Sequence, residues 1–246
     1  MGRLLIFAFA IAAYLLFFAT FLYLVAFVGD LPWVPVTVDR GPASPLAVAL
    51  VVDTVLIALF GIQHSVMARP SFKRHWTRIV GTVAERSAYV VASSLVLVVL
   101  VAGWRPIPGE LWHIRAPWAE WTMWGFFALG WLVVLVSTFL ISHFELLGLS
   151  QAWLNLKQRE AQAPRFRTPL LYKSVRHPLY AGFIIAFWAT PVMTWGHLLL
   201  AVGMTLYVVI AIGHEERDLT ALFGDEYRDY KRRVGMLVPG VGKTAK

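Results

Sequence analysis

The chain contains no cysteine, and charge is scarce: 15% of its 246 residues are Asp, Glu, Lys or Arg. Without cysteine it can build no disulfide, no thiolate metal site and no covalent thiol intermediate. A soluble domain carries about 25% charged residues, so the deficit points to a bilayer. Acidic residues are the rarer sign, 14 against 22 basic ones, leaving a net charge of +8. No basic domain is left once the apolar runs are removed, so nucleic-acid binding is not expected. Internal repeats and low-complexity tracts are also lacking. One domain, residues 1–246, is the simplest organisation.

What is abundant is hydrophobicity, at 59% of residues with a mean hydropathy of +0.66. A helix needs about 20 apolar residues to cross the hydrocarbon core. Six segments qualify: Leu4 to Val28, Leu46 to Val66, Ser87 to Gly103, Trp121 to Ile141, Leu179 to Trp195, and His197 to Gly213. The expected fold is an all-α integral membrane protein of about six spans, with five an alternative count. The break at Ala189-Thr190-Pro191 shortens or bends that segment. The first run exceeds a signal peptide's apolar stretch and reads as a retained span.

Orientation follows from the basic residues. Nineteen of the 22 Lys and Arg lie at the start, in the loops 67–86 and 142–178, and in the tail that includes Lys246. Arg40, Arg105 and Arg115 are on the other side. This asymmetry places both termini in the cytoplasm of a multi-pass protein. Trp104, Trp112, Trp118 and Trp121 suit an aromatic belt on the outer side.

On this topology His64, His143, His177 and His214 gather at the cytoplasmic face with Glu145, Glu215 and Glu216. His75 lies farther into a loop on that side, and His113 and His197 face away. Ionisable groups at membrane depth are costly and mark sites. No two histidines are three or four residues apart, so no single helix face offers a ligand pair, and no metal is expected. Asp53, inside the second span, reads either as an interhelical hydrogen bond or as the mark of a non-catalytic sensor or transporter.

Two motifs stand out. In Arg176-His177-Pro178-Leu179-Tyr180-Ala181-Gly182, Pro178 suits the first turn of a helix, whose free N–H groups can hold an anion. Gly182 allows another group close to the backbone. In His214-Glu215-Glu216-Arg217-Asp218-Leu219, followed by Phe223-Gly224-Asp225-Glu226-Tyr227-Arg228-Asp229-Tyr230, Gly224 reads as a helix stop and Asp225 as the next cap. Leu219, Leu222, Phe223, Tyr227, Tyr230 and Val234 recur at helical spacing. That pattern predicts a basic amphipathic cytoplasmic segment lying along the membrane.

These motifs, in this order, resemble the isoprenylcysteine carboxyl methyltransferase-like superfamily of membrane methyltransferases. The match runs from Arg176 to about Val234. The resemblance implies that residues 176–234 form a cytoplasmic S-adenosylmethionine site. Arg176, His177, Pro178, Tyr180, Gly182, Glu215, Glu216, Tyr227 and Tyr230 are then its candidates. Four more stretches resemble a bacterial branch of the superfamily. They run from Phe60 to Pro70, Glu85 to Tyr89, Ser142 to Leu149 and Ala189 to His197. A denitrification-associated membrane family shares parts of them.

The branch implies a bacterial inner-membrane enzyme that methylates a small thiol, methanethiol foremost, giving dimethyl sulfide and S-adenosylhomocysteine. One departure supports this. Carboxyl methyltransferases carry charged residues, including Arg, just before the acidic pair, whereas this chain has Val209-Ile210-Ala211-Ile212-Gly213. A carboxylate acceptor needs a cation; a small thiol does not. His64 or His143 is the expected general base, since a base raises the reactive thiolate fraction. Other acceptors stay open, as do the entry route and oligomeric state. S-adenosylhomocysteine binding separates an enzyme from a transporter.

Overall fold

The computed structural model describes residues 2–160 and 165–243. Lys246 of the basic tail lies outside them. Ten helices and two short strands are found among the described residues. Five helices are long and apolar enough to cross a membrane: α1 Gly2–Val28, α2 Leu46–Ala68, α4 Glu85–Gly103, α5 Pro117–Ile141 and α9 Trp195–Phe223. Between them lie α3 Pro70–Val80, α6 His143–Leu146, α7 Leu149–Leu156 and α8 Pro178–Trp188, and α10 Asp225–Arg233 follows. The strands are β1 Glu110–His113 and β2 Val192–Thr194.

The long helices are apolar on all sides, and their outward side chains stay uncovered. In α1, Leu5 is 70% exposed and Leu15 59% exposed. Such surface is stable only against lipid. The chain is therefore a multi-pass helical membrane protein.

The predicted fifth span is the 11-residue helix α8, about 16 Å long at 1.5 Å per residue. Alone it falls short of the roughly 30 Å core. Its helix ends at Trp188 because Pro191 has no N–H and disfavours helical geometry before it. The helix that carries the sixth apolar run continues past Gly213. No stop signal intervenes, so α9 runs on through the acidic pair to Phe223. Gly224, at φ +59°, ends it and is itself the cap position of α10, so Asp225, expected as the cap, is instead the first helical residue, and α10 has no side-chain capping hydrogen bond.

The backbone groups into two compact units. The first comprises Met1–Leu111, Ser142–Gln162 and Thr194–Leu200. In it α1, α2 and α4 pack together, with α7 against α1. Met67, Tyr89, Val90 and Leu147 form a buried cluster, with Tyr14, Phe17, Phe72 and Trp76 packed on it. Trp104 is fully buried and donates its indole N–H to the Val38 carbonyl at 2.9 Å. It is thus a core residue, not part of an aromatic belt. Trp118 and Trp121 are exposed, at 76% and 75%. Asp53 accepts the Arg105 backbone N–H at 2.9 Å, just past the end of α4. That is the interhelical reading of this residue.

The second unit comprises Trp112–Ile141, Ala163–Met193 and Ala201–Lys246. Its main seam is α5 against α8. A Cβ on Gly130 would lie 2.6 Å from the Ala186 nitrogen, and one on Gly182 would lie 2.7 Å from the Gly130 carbonyl oxygen. The helices touch backbone to backbone, as small residues permit in membranes. The group that approaches Gly182 is therefore α5. Beyond α8, the Pro191 carbonyl accepts from Ile114 N–H at 2.8 Å, and the Thr190 carbonyl from the Trp112 indole at 3.1 Å. These bonds satisfy non-helical backbone that lipid could not.

Candidate functional site

The sequence placed four histidines and three glutamates at one level. The structure sorts them into two groups. His64 and His143 belong to the first unit; His177, Glu215 and Glu216 belong to the second.

His64 sits in the last turns of α2. Its Nδ1 is 3.1 Å from the Ser93 hydroxyl of α4, and its ring lies 5.2 Å from Phe60 and 5.0 Å from Tyr89. The Tyr89 hydroxyl donates to the His64 carbonyl at 3.3 Å. His143 opens α6 after Ser142, which has φ +99°. A non-glycine residue in that region stores about 1–3 kcal/mol of strain. Its imidazole is 6% exposed, with Nε2 3.2 Å from the Tyr14 hydroxyl. Burial holds the His143 pKa below the ordinary value, so the ring is neutral near pH 7 and able to accept a proton.

Arg86 donates from Nε to the Leu146 carbonyl at 2.5 Å, fixing the turn after α6. Gly148, at φ +88°, lies so close to Ser87 that a Cβ there would be 2.4 Å from its hydroxyl. Both histidines thus rim one apolar cluster, since Tyr14 and Tyr89 belong to it. Glu145, the third member expected here, is exposed.

The second group is ionic. Arg176 and His177 are each 4% exposed, and Pro178 begins α8 as expected. Glu216 Oε1 accepts from Arg176 Nε at 2.7 Å and lies 3.2 Å from His177 Nε2. Its Oε2 is 3.2 Å from Lys231 Nζ. Arg176 also donates to the carbonyls of Lys231, Val234 and Gly242, at 3.2, 2.5 and 3.1 Å. The backbone N–H groups of Arg176 and His177 donate to Gly235 and Met236 at 2.8 and 3.1 Å.

Tyr180 lies 5.7 Å from the His177 ring. His214, beside the pair, is 3.1 Å from Arg217.

Tyr227 and Tyr230 do not face lipid. They are 2% and 5% exposed and pack on Phe166, with ring centroids at 5.8 and 5.2 Å. The α10 segment expected along the membrane therefore turns its apolar face into protein. Tyr230 donates to the Tyr172 carbonyl at 2.5 Å. Burial and the nearby Glu216 and Glu215 charges push the Tyr227 hydroxyl well above its usual pKa, keeping it a donor. It has no hydrogen-bond acceptor among the described residues.

Sequence reasoning missed Tyr14, Ser93 and Lys231. Only Lys231 carried a signal, as one tail cation among several. Among the described residues no group of three or more His, Asp or Glu is placed to hold a metal ion.

Apolar spanning helices and two polar groups on distinct units define a multi-pass membrane protein built to hold polar chemistry. The chain belongs to the NnrU protein family, which matches residues 54–238. It is similar to methanethiol S-methyltransferase 1 of Bradyrhizobium diazoefficiens, 52% identical over 95% of this chain and 81% of that protein. It is also similar to methanethiol S-methyltransferase of Mycobacterium tuberculosis, 49% identical over 97% of this chain and 98% of the relative. Human Nurim is 33% identical over 77% of the chain and 74% of its own length. No solved structure matches.

Proposed function

We propose that the chain is an S-adenosylmethionine-dependent S-methyltransferase of the bacterial inner membrane that converts methanethiol to dimethyl sulfide. The observation that carries this reading is identity near 50% to relatives of that name over nearly the whole chain. The residues fit the cofactor. Tyr227 offers a buried hydroxyl without an acceptor among the described residues, and Glu215, 43% exposed, offers a carboxylate. With His177, Tyr180 and Tyr230 they are the residues that would hold it.

S-adenosylmethionine supplies an activated sulfonium methyl. The chain's own task is to orient the acceptor, exclude water and take one proton. The acceptor's S–H bond would break with its proton passing to His64 or His143, and its sulfur would form the new C–S bond as the sulfonium S–CH3 bond breaks, the electron pair of that bond leaving with S-adenosylhomocysteine. Electrons balance without an oxidant or a metal. Imidazoles held by hydroxyls suit a proton acceptor. Both termini are read as cytoplasmic from the Lys and Arg asymmetry.

The test is purified protein with labelled S-adenosylmethionine and a panel of thiols, selenols, amines and carboxylates. Labelled dimethyl sulfide from methanethiol is expected. Transfer confined to amines or carboxylates, or no transfer with intact protein, overturns the reading.

A further inference from the structure

The two adjacent glutamates differ in exposure and in how their oxygens are engaged. Glu216 is 12% exposed at its side chain, and both oxygens are engaged by Arg176, His177 and Lys231. Glu215 is 43% exposed, and its Oε2 lies 3.9 Å from His177 Nδ1, beyond a hydrogen bond. The buried Tyr227 hydroxyl, lacking an acceptor among the described residues, lies within the electrostatic reach of both carboxylates. A buried donor left unpaired costs about 1–3 kcal/mol, and a ligand acceptor would remove that cost.

We infer that Glu216 is a positioning residue and that Glu215, with the Tyr227 hydroxyl, is the pair that meets the cofactor. Glu216 neutralises Arg176 and Lys231 and fixes the imidazole of His177 in its Nε2–H form. Through Arg176 it also fastens residues 234–242, whose carbonyls receive the other guanidinium hydrogens. A carboxylate already engaged by Arg176, His177 and Lys231 has little capacity left for a ligand. Glu215 keeps its capacity: a carboxylate here accepts from the hydroxyl or ammonium groups of a nucleoside-bearing amino acid, and Tyr227 donates to an acceptor on the same molecule. This assignment rests on the S-adenosylmethionine reading for its ligand half, whereas its tail half does not.

The experiment uses full-length protein in lipid nanodiscs with three measurements. These are S-adenosylhomocysteine affinity, amide exchange over residues 235–242, and nitrogen NMR of labelled histidine for the His177 tautomer. Glu215→Gln is expected to weaken binding more than about tenfold, or 1.4 kcal/mol, with tail exchange and tautomer unchanged. Tyr227→Phe weakens binding severalfold, also without moving the tail. Glu216→Gln speeds tail exchange at least tenfold without ligand, mixes the His177 tautomers and lowers affinity. Glu216→Asp restores part of each. Should Glu216→Gln not fold, Lys231→Met, which removes one partner of Oε2, shows the same tail effect at smaller size.

Parental tail protection in both Glu216→Gln and Lys231→Met overturns the positioning role. Parental affinity in both Glu215→Gln and Tyr227→Phe overturns the ligand role. If the parent itself binds no S-adenosylhomocysteine, the functional reading fails along with the ligand half, and tail exchange still decides the positioning half.

Discussion

The two polar groups are built on opposite principles. In the first unit, His64 and His143 are held by neutral partners, a serine hydroxyl at 3.1 Å and a tyrosine hydroxyl at 3.2 Å. In the second, Glu216 is ringed by Arg176, His177 and Lys231. A hydroxyl partner, unlike a carboxylate, does not hold an imidazole in one ionic pairing and lets it take and return a proton. An ionic setting fixes geometry, because removing one buried charge strands the others. The contrast teaches that histidine count was the wrong unit of reasoning; the partner of each ring decides what it can do.

The sharpest way to break the comparison is Arg176→Ala. It strands Glu216 and frees three carbonyls, so a stability loss of about 3–5 kcal/mol is expected, with cofactor binding abolished. Thermal unfolding and S-adenosylhomocysteine titration measure it. A stable variant that binds like the parent would show that the ionic group is ornamental.

Next come His64→Gln and His143→Gln. Whichever ring is the base should lose about 100-fold or more in turnover at neutral pH, with cofactor affinity kept. Alkaline buffer should restore part of the rate, because solvent then supplies thiolate. A merely structural histidine gives low folding yield and no alkaline rescue. Full activity and an unchanged pH–rate profile in both variants would take the base role from both.

A smaller effect concerns acid. The folded-state pKa of His143 lies below its unfolded value near 6.5. The folded chain then binds this proton less readily than the unfolded one. Its contribution to stability is whole above about pH 6.5 and is lost as pH falls below that value. His143→Gln should flatten the acid side of a melting-temperature curve measured from pH 7.5 to 5. An identical slope in the variant would assign the acid sensitivity elsewhere.

The smallest expected change is Ser142→Gly. Glycine accepts φ +99° without strain, so the melting point should rise slightly, by the equivalent of about 1 kcal/mol. A fall would mean that the serine side chain makes a contact worth more than the strain.

Much of this was legible before any coordinates. Apolar runs located the five long helices because the bilayer fixes their length. Pro178 and the Gly224-Asp225 pair marked helix boundaries because caps are local chemistry. Hydropathy falls at Gly213, where the apolar span ends, but α9 continues to the stop at Gly224, the residue that can adopt positive φ. The shared face of the candidate histidines was an inference from depth alone. It could not separate His143, which bonds to a tyrosine 129 positions earlier, from His177, which bonds to a glutamate 39 positions later. The grip of Arg176 on the carbonyls of Val234 and Gly242 left no trace in the sequence, because carbonyls belong to every residue.

The seam between α5 and α8 bears on how the protein can be handled. Where Gly130 meets Gly182, backbone touches backbone, and no acyl chain or detergent tail can wedge between them. Exchanging one amphiphile for another should leave that pairing alone and disturb first the thinly covered α1, whose leucines depend on whatever solvates them. Loss of activity on extraction is therefore best sought at α1 and countered with added lipid rather than by stiffening α8.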